Sequence, residues 1–245
     1  MLRGIYNAAA GMITQYKKID ILGNNTANVN TAGYKESNVT LSEFGQELAR
    51  RTTDNVNVGE LSLCVTLDRE TTNLAQGALE NTGIPTDLAV DGDGFFAVRA
   101  PGGGDVKYTR SGNFSVDAQG FLALPTGDRL LGQNGQAIYV GGSNFTVDTD
   151  GTVRLPNGPV GRITLYTSDN AQNINKRRDG FFNIDGAVVA NGMIRQGWLE
   201  KSNTDTINNI VEMMAATRAF QGCQKAYQID AQTLDKLVTQ VGSLK

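Results

Sequence analysis

Two stretches at opposite ends of this chain share one spacing, and that spacing is the strongest constraint on what it can fold into. Leu2, Ile5, Ala9, Met12, Tyr16, Ile19, Gly23 and Thr26 follow a 3-4 alternation, and so do Ile210, Met213, Thr217, Phe220, Gln224, Tyr227, Ala231, Leu234, Val238 and Val241. In an α-helix this alternation gathers one stripe, a seam that another helix can cover. The spacing predicts helices over about residues 3–30 and 205–242, the second roughly 55 Å long at about 1.5 Å per residue. Ser202-Asn-Thr-Asp205 has the spacing of a capping box at the start of the second helix.

Between the seams the period changes. LAVDGDGFFAV (88–98), VKYTRSGNFSVDAQGFLAL (106–124), FTVDTDGTVRL (145–155) and GRITLYT (161–167) are short apolar runs broken by glycine turns, the pattern of a compact all-β domain. Asp117-Ala-Gln-Gly120 and Asp148-Thr-Asp-Gly151 are each followed by three residues and Leu-Pro, which predicts two similar hairpins. The expected fold class is α+β, with discontinuous N- and C-terminal coiled-coil helices flanking the β-domain. Its expected parts are 1–36 (N-terminal helix), 37–75 (extended linker), 76–200 (β-rich domain) and 201–245 (C-terminal helix).

Composition removes several function classes. The chain of 245 residues has no histidine, so the usual general base, the Ser-His and Cys-His pairs and the commonest zinc ligand are missing. Cys64 and Cys223 have no CxxC spacing and read as buried or inert thiols. A net charge of -3 argues against nucleic acid, which needs a basic face. Arg50-Arg51, Lys17-Lys18 and Arg177-Arg178 read as solvated surface. No apolar run is long enough to span a bilayer, and polar residues interrupt the N-terminus before a secretory core can form, which taken alone suggests a cytosolic chain.

Asp91-Gly-Asp-Gly94 and Asp148-Thr-Asp-Gly151 lack the glycine and glutamate positions of an EF-hand, so they read as turns rather than calcium loops. Pro101-Gly-Gly-Gly104 lacks the Lys-Ser/Thr and helix start of a phosphate loop. Asp179 and Glu200 could in principle form a glycosidase pair, but no spacing places them together. No cofactor, metal or catalytic residue is expected.

The seams are apolar on more than one flank, through Ile13, Ile21, Leu22, Val211, Met214 and Leu237, which suits helices with several neighbours. The expectation is that both ends are loosely ordered in a lone molecule and become fixed when copies pack. The stretch ILGNNTANVNTAGYK (21–35) has two readings. Either its small residues and asparagines, Gly23, Asn24, Asn25, Thr26, Ala27, Asn28 and Asn30, serve a close interface, with Gly33 ending the helix and Tyr34 anchoring the next segment, or it is a frayed helix end running into a polar loop.

At this point the residues resemble a family. Ala-Ala-Gly-Met (9–12), Gln15 and ILGNNTANVNTAGYK are similar to the N-terminal signature of bacterial flagellar rod and hook proteins. Gln76-Gly-Ala-Leu-Glu-Asn-Thr-Gly83, the 87–96 stretch, Tyr108-Thr-Arg-Ser-Gly-Asn-Phe114, Gly197-Trp-Leu-Glu-Lys-Ser-Asn203, and Met213-Met214 with Arg218-Ala-Phe220 resemble further blocks of the basal-body rod proteins. The resemblance implies a structural rod subunit, of proximal or distal type, in a tubular axial structure that transmits torque and encloses an export channel. The terminal helices would form its inner wall and the β-domain its outer layer. Implied partners are copies of itself, other flagellar rod and hook proteins, the flagellar export apparatus and surrounding ring proteins, without nucleic acid or membrane insertion. The implied location is the basal body in the periplasmic space, reached without a cleaved signal peptide. The alternatives are a hook-type axial protein, whose extra outer domain this length leaves no room for, and a non-flagellar coiled-coil adaptor.

The expected assembly interface comprises Met12, Asn24, Asn25, Ala27, Asn28, Gly33 and Tyr34 near the N-terminus. Leu199, Glu200, Ser202, Asn203, Met213, Met214, Arg218, Phe220, Tyr227 and Leu234 complete it. The chain departs from the family's pattern in Thr-Asp-Thr-Ile-Asn-Asn after Asn203, and 42–63 lacks the glutamine-proline segment associated with distal rod proteins.

Overall fold

The computed structural model describes residues 2–50, 57–142, 144–168, 173–177 and 179–242. They fall into two compact units, one of Met1–Ala27, Ser37–Asn73 and Asp205–Lys245, the other of Asn28–Glu36 and Leu74–Thr204. With a helix near each end and strands between, the fold is α+β.

In the first unit, helix α1 (Leu2–Ala27) and helix α2 (Thr206–Gly242) pack against each other. Their pairing is antiparallel. A side chain at Gly4 would collide with the Asp230 carboxylate, one at Gly11 would put its Cβ 3.0 Å from the Cys223 sulfur, and Lys18 Nζ lies 3.1 Å from Glu212 Oε2. Glycine at these two crossings lets the backbones approach.

The facing stripe differs from the predicted one by a single position on both helices. Gly4, Gly11 and Lys18 mark it on α1, and Glu212, Cys223 and Asp230 on α2, while Tyr16 of the predicted seam stays 65% exposed and Val238 71%. The predicted stripe follows the apolar side chains, whereas the close approach occurs where glycine stands, at Gly4 and Gly11. Cys223 is half-buried in this contact; the Cys64 and Val241 side chains, Arg51 and Arg178 lie outside the described residues.

The helix ends also shift. α1 stops at Ala27, not near residue 30, and turns come next, with the Thr31 amide donating to Asn28 O (3.1 Å) and the Tyr34 amide to Thr31 O (3.3 Å). Gly33 does take the left-handed conformation, φ 69°, but well beyond the helix rather than as its cap. At α2 the cap is Asp205, not Ser202: its Oδ1 accepts from the amides of Ile207 (3.0 Å) and Asn208 (3.3 Å), satisfying donors that have no intrahelical partner.

Residues 37–75, expected as an extended linker, instead fold into a long antiparallel hairpin. Strand β1 (Ser37–Arg50) pairs with β2 (Asn57–Thr72) from Ser37↔Thr72 to Arg50↔Asn57, with irregularities after Thr40 and Ala49. An extended backbone must place its amides and carbonyls somewhere, and each strand here supplies the other's partners. The hairpin starts from α1: Asn25 Nδ2 donates to Ser37 O (2.8 Å) and the Ser37 amide to Asn25 Oδ1 (3.0 Å).

The second unit is built on antiparallel strands. Its largest sheet runs in the order Ile174–Lys176, Phe182–Ile184, Lys107–Thr109, Phe95–Arg99, Arg129–Leu130, Leu122–Ala123, Ser115–Val116, with Leu165–Thr167 also paired to Phe95–Arg99. Met193–Gln196 pairs with Leu88–Asp91, and Trp198–Glu200 with Leu79–Asn81. GRITLYT, read as one run, splits: Gly158–Arg162 joins Thr146–Val147 and Thr152–Leu155 in a separate sheet.

Phe95 and Phe96 explain why 95–98 is continuous in apolar residues. Phe96 packs into the main core with Leu88, Val98, Phe114, Leu122 and Leu130, while Phe95 points to a second cluster with Phe182 and Ile184. A strand covered on both faces needs no polar alternation.

One turn form recurs. In 117–120, 124–127, 132–135 and 148–151 the fourth residue is a glycine at positive φ whose amide donates to the first residue's carbonyl at 2.8–2.9 Å. The first residue's amide in turn donates to the carbonyl of the residue after the glycine. This is a turn followed by a left-handed glycine, a common hairpin closure. The predicted pair of hairpins is among them, and each adds an ion pair from its leading aspartate, Arg129 Nε to Asp117 Oδ2 (2.8 Å) and Arg154 Nε to Asp148 Oδ2 (2.6 Å).

Candidate functional site

Four motifs that lie far apart in the chain converge in the second unit on one carboxylate. Glu200 sits on the Trp198–Glu200 strand, Lys35 on the segment after the Gly33 turn, Arg110 just past the Lys107–Thr109 strand, and Gly77 in the run leading to Leu79–Asn81. Glu200 Oε1 accepts from Lys35 Nζ (2.6 Å) and the Gly77 amide (2.9 Å), while Oε2 accepts from Arg110 Nη1 (3.1 Å). The side chains of Lys35, Arg110 and Glu200 are 1%, 3% and 0% exposed. A buried charge is tolerated when it is paired and hydrogen-bonded, and here each cation also donates to a carbonyl: Lys35 Nζ to Ala75 O (2.7 Å) and Arg110 Nη2 to Gly92 O (2.8 Å).

Around this cluster the backbone is tied as tightly. The Gly33 amide donates to Glu200 O (2.7 Å) and the Lys201 amide to Ala78 O (2.8 Å). Asn203 bridges two further segments, its Oδ1 accepting from the Glu36 amide (2.8 Å) and its Nδ2 donating to Ala75 O (3.0 Å). Lys176 Nζ lies 3.8 Å from the Tyr34 ring centroid and donates to Lys35 O (2.6 Å), which combines a cation–π contact with a hydrogen bond. A side chain at Gly33 would collide with the Arg110 backbone, so glycine is required there both by φ and by space.

Burial pushes the Lys35 ammonium below the ordinary lysine range. The Glu200 carboxylate opposes that shift and the Arg110 charge adds to it. The two cations share one carboxylate, and Arg110 Nε is buried without a hydrogen-bond partner.

The structure divides the sequence-predicted interface set. Asn25, Gly33 and Glu200 are buried and bonded within their own chain: both ends of the Asn25 amide bond Ser37, and the Glu200 side chain is 0% exposed. Tyr34, Leu199, Ser202 and Asn203 are half-buried in the second unit. Met12, Asn28, Met213, Phe220 and Leu234 are half-buried, and Asn24, Ala27, Met214, Arg218 and Tyr227 exposed.

Sequence reasoning does not select Lys35, Arg110 or Gly77 as site residues, although GYK, YTRS, QGAL and WLEK all stand out as motifs. The available signal is one charge or one glycine in each motif, but nothing in a single sequence shows that charges 75, 90 and 165 positions apart meet.

A second feature belongs to the first unit. Tyr6, Ile13 and Tyr16 of α1 and Ile207, Ile210, Val211, Met214, Ile229 and Val238 of α2 are exposed, several beyond 60%. Apolar side chains gathered on an exposed helix flank mark an interaction surface.

The glycine run 101–104 leads into the Lys107–Thr109 strand rather than a helix. Asp91 and Asp148 are engaged by Arg195 and Arg154. Among the described residues, no group of three or more His, Cys, Asp or Glu is placed to hold a metal, and no helix is long and apolar enough to cross a membrane.

A closed charge cluster that ties chain segments in one unit, and helices with exposed apolar flanks in the other, are features of a structural protein built for packing. The comparisons with known proteins specify which. Residues 5–35 match the family described as flagella basal body rod protein, 89–158 the flagellar hook protein FlgE/F/G D1 domain, and 195–240 the flagellar basal body rod FlgEFG protein C-terminal family. The flagellar basal-body rod protein FlgG of Bacillus subtilis is 33% identical over 97% of this chain and 98% of its own length, and FlgF of Caulobacter vibrioides is 29% identical over all of both chains. The flagellar hook protein FlgE of Treponema pallidum is 36% identical but shares only 56% of this chain and 31% of its own. The chain belongs to the flagellar basal-body rod protein family and is a structural subunit of the rod.

Proposed function

We propose that this subunit polymerises through its terminal helices into a helical tube, with α1 and α2 forming the inner wall by coiled-coil packing and the β unit the outer layer. The observation that carries this reading is the row of exposed apolar residues on both helices, which a lone molecule leaves in water. Met12, Asn24, Ala27, Asn28, Met213, Met214, Arg218, Phe220, Tyr227 and Leu234 belong to that interface. Copies of itself and other rod and hook proteins cover these flanks, ring proteins surround the tube, and the flagellar export apparatus delivers the chain to the periplasmic space without a cleaved signal peptide. The subunit carries torque and encloses the channel, with no enzymatic activity of its own.

Ile13→Asp and Met214→Asp test it. Both positions are exposed, 59% and 53%, so the monomer's stability should move by less than about 0.5 kcal/mol. Sedimentation should show the wild-type chain forming open polymers and both variants remaining monomeric. Polymers of normal length from either variant would contradict the reading.

A further inference from the structure

Glu200 is the shared counter-charge of two buried cations that are both made before it. Lys35 and Arg110 precede it by 165 and 90 residues, and synthesis runs from the N-terminus. Without Glu200 the Lys35 ammonium would enter a closed site facing the Arg110 guanidinium, with the exposed Asp93 as the other acid acting on it. Burying two like charges without a counter-charge is strongly disfavoured.

The backbone contacts have the same dependence. The Gly33 amide has its acceptor on Glu200, and the Glu36 amide on Asn203, so the 28–36 segment takes two of its hydrogen bonds from the 198–203 segment. The Asn203 amide donates back to Tyr34 O (3.4 Å).

We propose that Lys35, Arg110 and Glu200 form a completion latch, in which the segment after the N-terminal helix docks on the β unit only once the segment before the C-terminal helix is in place. The latch makes docking of two segments at opposite ends of the chain a single event. A chain that has not yet delivered residues 198–203 keeps residues 28–36 undocked, whatever else of the β unit has formed. This holds for the isolated subunit and does not depend on how subunits pack.

Native-state hydrogen exchange on the full-length monomer tests the latch. In the wild-type protein, the amides of Gly33, Glu36, Lys201 and Asn203 should exchange through one opening with a common denaturant dependence, below the opening that exposes Phe95–Arg99. In Glu200→Gln, exchange at Gly33 and Glu36 should accelerate roughly 100-fold or more, with far less change in Phe95–Arg99. Adding Lys35→Met to Glu200→Gln removes the excess cation and should restore about tenfold of that protection. Separate openings for the two segments in the wild-type protein would overturn the latch, and that measurement decides the matter even if Glu200→Gln does not fold. It is equally overturned if Glu200→Gln loosens Phe95–Arg99 as much as residues 28–36, or if Lys35→Met brings no recovery.

Discussion

The β unit and the helical unit treat their large apolar side chains in opposite ways. In the β unit Leu88, Phe96, Leu122, Leu130 and Val153 have no exposed surface, whereas Ile207 of α2 and Tyr6 of α1 are 75% and 73% exposed. The β unit closes its strands with its own turns and its charges with its own partners. The helices instead meet over a narrow stripe, Gly4 and Gly11 among its residues, and leave their bulkier side chains facing outward. One region thus draws its stability from inside; the other carries surface that packing has yet to cover.

The comparison breaks most sharply in the β core. Phe96→Ala removes a ring that contacts Phe114 edge-on at 5.4 Å and leaves a cavity, so the β unit should lose about 3–5 kcal/mol in urea unfolding. A loss under about 1 kcal/mol would mean that the core is not packed as described.

Gly33→Ala comes next. The position has φ 69° and abuts the Arg110 backbone, so the substitution should cost about 1–3 kcal/mol, read as faster amide exchange at 31–36. Unchanged exchange there would show that residue 33 is not held against Arg110.

For the helices, Asp205→Ala should cost about 1 kcal/mol. Its effect should appear as fraying confined to the first turn of α2, measured by amide exchange at Ile207 and Asn208. An effect spread along the whole helix would mean that α2 depends on its cap more than on its contact with α1.

How far these features are legible in the sequence depends on their range. Both helices are legible because their period repeats every turn, and α2 begins and ends within a residue of expectation. The facing stripe is not, since Gly4 and Gly11 carry no hydrophobic signal and their role depends on Cys223 and Asp230 opposite. The 37–72 hairpin has a usable sign in the alternating Leu61, Leu63, Val65 and Leu67, but β1 alternates poorly, which favours reading the pair as linker. The family motifs are recognisable as blocks. Their meeting on Glu200 is not, because contact across 165 residues is a property of the folded chain.

The smallest expected effect is electrostatic and belongs to a β turn. Thr152 donates to Asp150 through its amide (3.0 Å, to Oδ1) and its hydroxyl (2.9 Å, to Oδ2), and these bonds hold the Asp150 carboxyl below the ordinary aspartate range. A carboxylate whose folded value is depressed stabilises the fold above its unfolded value, near 3.9, and loses that contribution as pH falls through the folded value. Asp150→Asn removes the titration. Wild type should therefore melt slightly higher than the variant above about pH 5, and the two melting curves should converge as pH drops below about 4. Because the group is exposed, solvent screening keeps the difference small. A gap that widens toward acid would have the wrong sign for a carboxylate stabilised in its charged form, and no gap at any pH would mean that the turn at 148–151 is held by its backbone bonds alone.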